Sequence, residues 1–309
     1  MRFHLGPIHW AALSIALSWL PACGGGGSGP TIAAVPHGTA TLALTAAMAP
    51  EVAAQSVAVL TSLRTLGYEL AVELESVWPA DPVQQTACGG GGSWTYTYVD
   101  VDNSGTRTAG DRITVVAPGC SIAPFGNGSA TATVLAADGS GLVDVRIVID
   151  GGTLPYLAAW NWVPTLTGTL RMTSDAGDLW LRSEGALVFT PDAGKSFRAS
   201  NLGLRLRDDG SNNPPAPGIL GSLDIGFDTP VGAGGSVAVD TVGLVAGHAA
   251  NVGPSPGSIA LQGSGGSKMR IADAKPANPG WFLVATDANG DGSEEASSTI
   301  SFADFFNAL

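Results

Sequence analysis

From Trp94 onward the chain consists of short runs rich in Thr, Val, Ile and Leu, separated by clusters of Gly, Asp, Asn and Pro. This texture is typical of β-strands joined by turns. In residues 94–98 (WTYTY), aromatic residues alternate with threonine, which places three rings on one face of a strand. The sequence therefore predicts a mainly β fold, an antiparallel meander that forms a sandwich or an open barrel.

Individual strands follow from the same pattern. Residues 113–116 are the expected partner of 94–98, and Asp138-Gly139 between residues 131–135 and 142–149 is a turn dipeptide that predicts a hairpin. The other predicted strands are residues 165–172, 179–182, 186–190, 197–207, 222–227, 236–245 and 268–271.

A short helical segment is expected ahead of these strands, at about residues 50–77. Pro50 stands where helices often begin, apolar residues follow at helical spacing, and Gly67 is expected to interrupt or end the first helix. A second helix then covers residues 68–77 and runs up to Trp78-Pro79, where the proline stops it.

The N-terminus has the pattern of an export signal. After Arg2, an apolar run over residues 8–20 is too short to span a bilayer core of about 30 Å, and it ends in Leu20-Pro21-Ala22-Cys23. Residues 1–22 are thus a predicted signal peptide. The last four residues resemble the lipobox of bacterial lipoproteins, which implies that Cys23 is diacylated and becomes the new N-terminus. Alternatively, Cys23 is incidental to an ordinary cleavage site.

Residues 24–30 (GGGGSGP) fit a flexible tether, so we expect a lipidated Cys23 with a tether over 23–30 and one β-rich extracytoplasmic domain over 31–309. In the enterobacterial version of this family, Asp after the cysteine tends to retain the protein in the inner membrane. Gly24 therefore implies an outer-membrane anchor, with the domain on the periplasmic or the surface face. The whole chain loosely resembles the Gly/Thr/Asp-rich β lipoproteins of Gram-negative bacteria, a resemblance that names no substrate.

The net charge of the chain limits the partners that the protein can bind. With 14 Lys+Arg against 26 Asp+Glu, the net charge is -12 and no nucleic-acid partner is expected.

Once Cys23 carries lipid, Cys88 and Cys120 remain as a pair in an oxidising compartment, which predicts a disulfide. A metal or redox site at these cysteines is the disfavoured alternative, because the chain contains no CxxC motif.

Two acidic segments match the spacing of twelve-residue calcium loops. In residues 100–111 (DVDNSGTRTAGD) a glycine takes the sharp bend, and the oxygen donors would be Asp100, Asp102, Ser104, Thr106 and Asp111. In the second segment, position twelve falls on Ser298 unless Glu294 or Glu295 replaces it, and the donors would be Asp287, Asn289, Asp291 and Ser293. We therefore expect a structural calcium. Turns without an ion are the alternative for both.

Trp160 and Trp162 would share one face of a strand and could stack on a sugar ring, although such pairs also pack in cores. No HExxH motif occurs, and only His37 and His248 follow residue 23 to serve a catalytic triad, so no catalytic residue is assigned. We expect a non-enzymatic binding or structural module that contacts the membrane through its anchor and a glycan or an envelope protein. The alternative is an envelope hydrolase that acts on polysaccharide through carboxylates from separate strands.

Overall fold

The computed structural model describes residues 35–77, 81–88, 91–120, 126–138, 141–154, 163–175, 178–192, 195–207, 218–228, 234–242, 257–274, 281–301 and 303–304. Cys23, the predicted signal peptide, Trp160 and Trp162 lie outside these residues. Among the residues described, no helix has the length and hydropathy that a membrane crossing requires.

One long helix, α1 (Ala49–Ser76), precedes a sheet of fifteen strands. The strands are β1 (Val83–Ala87), β2 (Ser93–Val99), β3 (Arg112–Val116), β4 (Ser129–Asp138), β5 (Gly141–Thr153), β6 (Thr165–Asp175), β7 (Asp178–Ser183), β8 (Leu187–Asp192), β9 (Lys195–Arg207), β10 (Gly218–Phe227), β11 (Gly235–Val242), β12 (Ser258–Gln262), β13 (Lys268–Asp273), β14 (Trp281–Asp287) and β15 (Ala296–Ser301).

The sheet is an antiparallel meander, and this confirms the predicted fold class. Consecutive strands pair throughout, with one variation: β7 and β8 pair with successive parts of β6 and of β9, and so act together as one interrupted strand. The predicted pairing of residues 94–98 with 113–116 is confirmed as β2 with β3, and the predicted hairpin as β4 with β5. Strands β1, β12, β14 and β15 were not predicted.

The helix is continuous, so the prediction that Gly67 interrupts or ends it is wrong. Gly67 is buried where α1 packs on β7 and β9. A Cβ atom at this position would lie 2.4 Å from a methyl carbon of Leu181 and 3.1 Å from one of Leu206. The glycine therefore allows the helix to approach the sheet closely, and tertiary packing outweighs its low helix propensity.

The sheet curls around the helix. Residues 52–60 are all buried, and nine consecutive residues cover every side of an α-helix. A flat sheet could cover only one side. Beyond them, one face of α1 stays buried in the core, through Leu63, Leu66, Leu70 and Leu74, while the opposite face is half-buried. Alternate residues of the strands complete the same core, as the ring-bearing residues of β2 do.

Residues 35–44, which we call the N-terminal strap, bind the sheet before the helix begins. The Leu42 N–H donates to the Ser236 carbonyl at 3.0 Å, and the Leu42 carbonyl accepts from the Ser264 N–H at 2.8 Å. Leu42 and Leu44 are both buried. A Cβ atom on Gly263 would lie 2.4 Å from the Leu42 carbonyl oxygen. Position 263 must therefore be a glycine for the strap to enter the core.

Candidate functional site

The predicted disulfide is present in the structure. Cys88 follows β1 and Cys120 lies beyond β3, and their Cα atoms are 5.7 Å apart. Both side chains belong to the hydrophobic core cluster. The bond joins the β1–β2 turn to the segment between β3 and β4, and so links three consecutive strands at one end of the sheet.

The first acidic loop, residues 100–111, connects β2 to β3. It brings Asp100, Asp102 and Asp111 together, with one carboxylate oxygen of each lying within 4.8 Å of the others. The other two predicted donors face each other, because the Ser104 hydroxyl donates to the Thr106 carbonyl at 3.1 Å. The loop therefore gathers oxygen ligands of the kind that calcium prefers.

The bend of this loop is fixed by its first residue. The Asp100 carboxylate accepts hydrogen bonds from the backbone N–H groups of Ser104 at 3.2 Å and Gly105 at 2.7 Å. Asn103 has a φ of 56° and Gly105 one of 71°, a region that favours glycine and asparagine. Because a Cβ atom on Gly105 would meet nothing within 4 Å, the backbone angle and not crowding requires the glycine.

Asp111 closes the loop from within the fold. It is fully buried, and its carboxylate accepts hydrogen bonds from the Tyr98 hydroxyl at 2.6 Å, the Thr108 N–H at 2.8 Å and the Val101 N–H at 3.0 Å. Desolvation raises the pKa of Asp111, but these hydrogen bonds outweigh it and the net pKa is lowered. The carboxylate is therefore ionised at neutral pH.

Asp102 is ionised as well. Hydrogen bonds from Ser104 and Thr108 lower the pKa of Asp102 to about 2. Like charges within 4.8 Å of one another repel. A divalent cation among these oxygens would remove that repulsion.

Arg107 extends from the same loop to the end of the helix. Its side chain is 6% exposed, and the guanidinium donates to the Glu75 carboxylate, the Glu75 carbonyl and, at 2.8 Å, the Val77 carbonyl. Arg107 belongs to none of the predicted sites. Its only local signal is a cation placed inside an otherwise acidic loop.

The second acidic loop, residues 287–295, connects β14 to β15. It gathers Asp287, Asp291 and Glu295, whose carboxylate oxygens lie within 4.8 Å of one another. Glu295 therefore takes the place that the spacing gave to Ser298, which instead lies within β15 opposite Val284. Glu294 turns outward to Arg270 at 3.0 Å.

Hydrogen bonds between residues close in sequence hold the rest of this loop. Asn289 accepts from the Asp291 N–H at 2.8 Å, and Asp291 accepts from the Ser293 N–H at 2.8 Å. The Asp291 pKa is lowered, chiefly by the bond from Ser293. All four predicted residues thus lie in the loop, but the structure brings only Asp287 and Asp291 into the carboxylate cluster.

The two loops repeat one hydrogen bond. In the first, Asp100 accepts from the N–H of Gly105 at 2.7 Å, and in the second Asp287 accepts from the N–H of Gly292 at 2.9 Å. In both cases the residue at position one binds the glycine at position six, which has a positive φ. Because the strand order is a meander, the two loops lie at opposite ends of the sheet.

The hydrolase alternative requires two carboxylates across an open space. Asp224 of β10 and Asp240 of β11 come from separate strands, but the imidazole of His37 lies between them and binds both. Glu69 and Glu73 lie on the half-buried face of α1. Desolvation, with the charge of Glu73, raises the pKa of Glu69 to about 7. Glu73 accepts a hydrogen bond from the Tyr96 hydroxyl at 2.7 Å.

The chain matches no protein-family model, no curated protein and no solved structure. Function must therefore be inferred from the residues and their geometry alone.

Proposed function

We propose that this protein is a lipid-anchored component of the bacterial cell envelope, a non-enzymatic module that calcium stabilises and that binds an envelope polymer or protein. The observation that carries the proposal is the shared geometry of the two acidic loops. Each gathers three carboxylates, and each bends at a glycine bound by its first aspartate. Such an oxygen set suits a hard cation with six to eight ligands.

Calcium would stabilise the folded protein. Each loop joins two neighbouring strands, and the first also contacts the helix through Arg107. An ion that binds only the folded state stabilises it by about 2.7 kcal/mol at a hundred times its dissociation constant. The loops lie at opposite ends of the sheet, so their contributions should be separable by mutation.

The test is a thermal melt of the protein purified from the cell envelope in mild detergent, with calcium and then with excess chelator. Calcium should raise the melting temperature, and Asp100→Asn and Asp287→Asn should each remove part of the rise. Asp150→Asn, which changes an exposed carboxylate of β5, is the matched control and should retain the full rise. A melt that calcium does not move would mean that both loops are turns only.

The anchor is tested separately. Two or three acyl chains on Cys23 would hold the protein at a membrane far more firmly than one chain does. We expect cells grown with labelled fatty acid to label the wild-type protein but not Cys23→Ser, and the protein to fractionate with the outer membrane. Label that persists in the variant would reject the anchor.

A hydrolase that acts on polysaccharide through carboxylates from separate strands is the second candidate, with Glu69 of α1, whose pKa is raised, as its general acid. A carboxyl group that remains protonated near neutral pH can act as a general acid. Incubation with envelope polysaccharide should then release reducing ends, and Glu69→Gln should abolish the release. Equal product from both proteins, or none from either, would exclude this role for Glu69.

A further inference from the structure

A histidine fastens the N-terminal strap to the outside of the sheet. His37 Nδ1 lies 2.7 Å from a carboxylate oxygen of Asp224, and Nε2 lies 3.0 Å from one of Asp240. In β10, Asp224 alternates with two core residues, and in β11 Asp240 follows the core residue Val239. Both carboxylates therefore lie on the outer face of the sheet, opposite the helix.

Asp224 is the centre of this contact. Its second oxygen accepts hydrogen bonds from the Gly38 N–H and from the side-chain amide of Asn201, both at 2.6 Å. Asn201 has a φ of 50° and lies where the pairing of β9 with β10 shifts register. This bulge directs its amide at Asp224. Asp224 is thus 7% exposed, and its carboxylate is held by three donors, two of which belong to the strap.

The number of protons on the imidazole decides whether both contacts can exist. An ionised carboxylate only accepts hydrogen bonds, and a neutral imidazole has one N–H group. Two carboxylates at hydrogen-bond distance from the two ring nitrogens therefore both receive a bond only when the ring carries two protons. A neutral ring would place a nitrogen lone pair against a carboxylate oxygen.

We propose that His37 is a pH-dependent clasp, whose doubly protonated ring holds the N-terminal strap against β10 and β11 and whose deprotonation loosens it. Among the described residues, the charged groups that face the ring are Asp224 from β10 and Asp240 from β11. The neighbouring strands β9 and β12 contribute the neutral amides of Asn201 and Gln262.

The direction of the pH effect follows from the same contacts. Desolvation lowers the pKa of His37, but the hydrogen bonds and charges of Asp224 and Asp240 outweigh it, so that the pKa lies above the usual 6.5. A raised folded-state pKa means that the stabilisation is complete below the unfolded value and is lost as pH rises through the folded value. The clasp is therefore closed in acid and opens in alkali.

The strap has room to move once it is released. It borders a groove of about 350 Å³ whose far side is formed by Gln262 and the turn over residues 263–266. If the chain is anchored as proposed above, release of residues 35–41 would lengthen the tether by on the order of 20 Å. The clasp itself stands on the contacts of His37 and does not depend on the anchor.

The test is hydrogen exchange of the strap, measured by mass spectrometry on the detergent-purified protein at pH 5 and at pH 9. Exchange rates are divided by the intrinsic rates at each pH, and calcium is kept constant. Protection of residues 35–41 should fall on going from pH 5 to pH 9, by about tenfold for each unit that the folded state adds to the His37 pKa. Equal protection at the two pH values would overturn the proposal.

Three variants separate the clasp from other causes. His37→Gln should leave the strap poorly protected at both pH values. Asp240→Asn should keep the strap protected and reduce the pH dependence, because an amide can donate to a neutral ring nitrogen or accept from an N–H. His248→Gln changes the other histidine downstream of residue 23 and should behave as wild type. A pH dependence that persists in His37→Gln would also overturn the proposal.

Discussion

Arg107 of the first acidic loop donates a hydrogen bond of 2.8 Å to the carbonyl oxygen of Val77, the residue that follows helix α1. The same guanidinium binds the carbonyl and the carboxylate of Glu75. The last carbonyls of a helix lack intrahelical partners and carry the negative end of the helix dipole. The last turn of α1 contains no basic residue of its own, so the loop supplies the missing cation.

Removing this cation should destabilise the fold. We expect Arg107→Ala to lower the free energy of unfolding by about 2 to 3 kcal/mol, since hydrogen bonds to charged groups are worth roughly 1.5 to 3 kcal/mol and the helix carbonyls would lose their donor. Chemical denaturation in the presence of chelator measures this loss of stability without any contribution from calcium. Arg112→Ala, an exposed arginine at the start of β3, is the control and should change stability by no more than about 0.5 kcal/mol. Equal losses in the two variants would contradict a capping role.

The Cys88–Cys120 disulfide should contribute a measurable share of stability. Its ends are 32 residues apart in sequence, and on the chain-entropy model closure of such a loop stabilises by roughly 3 to 4 kcal/mol. Reductant should therefore lower the melting temperature of the wild-type protein. The double variant Cys88→Ser, Cys120→Ser should melt at the lower temperature with or without reductant. A reductant effect that remains in the double variant would show that it acts elsewhere.

The sequence is sufficient to predict an element wherever the pattern lies within neighbouring residues. Alternation in β2 and the hairpin of β4 with β5 each depend on neighbouring residues, and both predicted pairings are confirmed. The two acidic loops were found because calcium-type spacing fits within about a dozen residues. By contrast, β15 is an edge strand in which half of the residues are exposed and none is fully buried, so it has no apolar alternation to detect.

Long-range contacts account for what was missed. His37 lies 187 residues from Asp224, and Arg107 lies 30 residues from Val77. No periodicity links such pairs, and only the folded sheet brings them together. The role of Glu295 is hidden for a different reason: the spacing gives position twelve to Ser298, and only the paired register of β15 shows that Ser298 belongs to the strand.

Gly67 offers a test of packing against helix propensity. Alanine should favour an isolated helix by about 1 kcal/mol, whereas extra volume in a packed core costs about 1 to 3 kcal/mol. Because a Cβ atom would lie 2.4 Å from a methyl carbon of Leu181, we expect Gly67→Ala to destabilise the protein by on the order of 1 kcal/mol. In a Leu181→Ala background the closest contact is gone and only the Leu206 methyl carbon, 3.1 Å away, must yield by a few tenths of an ångström, so the same change should stabilise. Denaturation of the four proteins measures the difference, and a stabilising Gly67→Ala in wild type would refute close packing.

Asp111 should make the stability of the first acidic loop depend on pH in the acid range, even without calcium. Its carboxylate is buried and accepts bonds from Tyr98, Val101 and Thr108, so Asp111→Asn should cost about 2 to 3 kcal/mol at pH 6, measured in chelator. The folded-state pKa is lowered from 3.8, which means that this stabilisation is complete above that value and is lost as pH falls through the folded pKa. The gap between wild type and Asp111→Asn should therefore narrow between pH 5 and pH 2, while the exposed Asp150→Asn control shows no such gap at either pH. A gap of constant size would mean that Asp111 contributes through its shape and not its charge, and the first loop would then need no ionised carboxylate at its twelfth position.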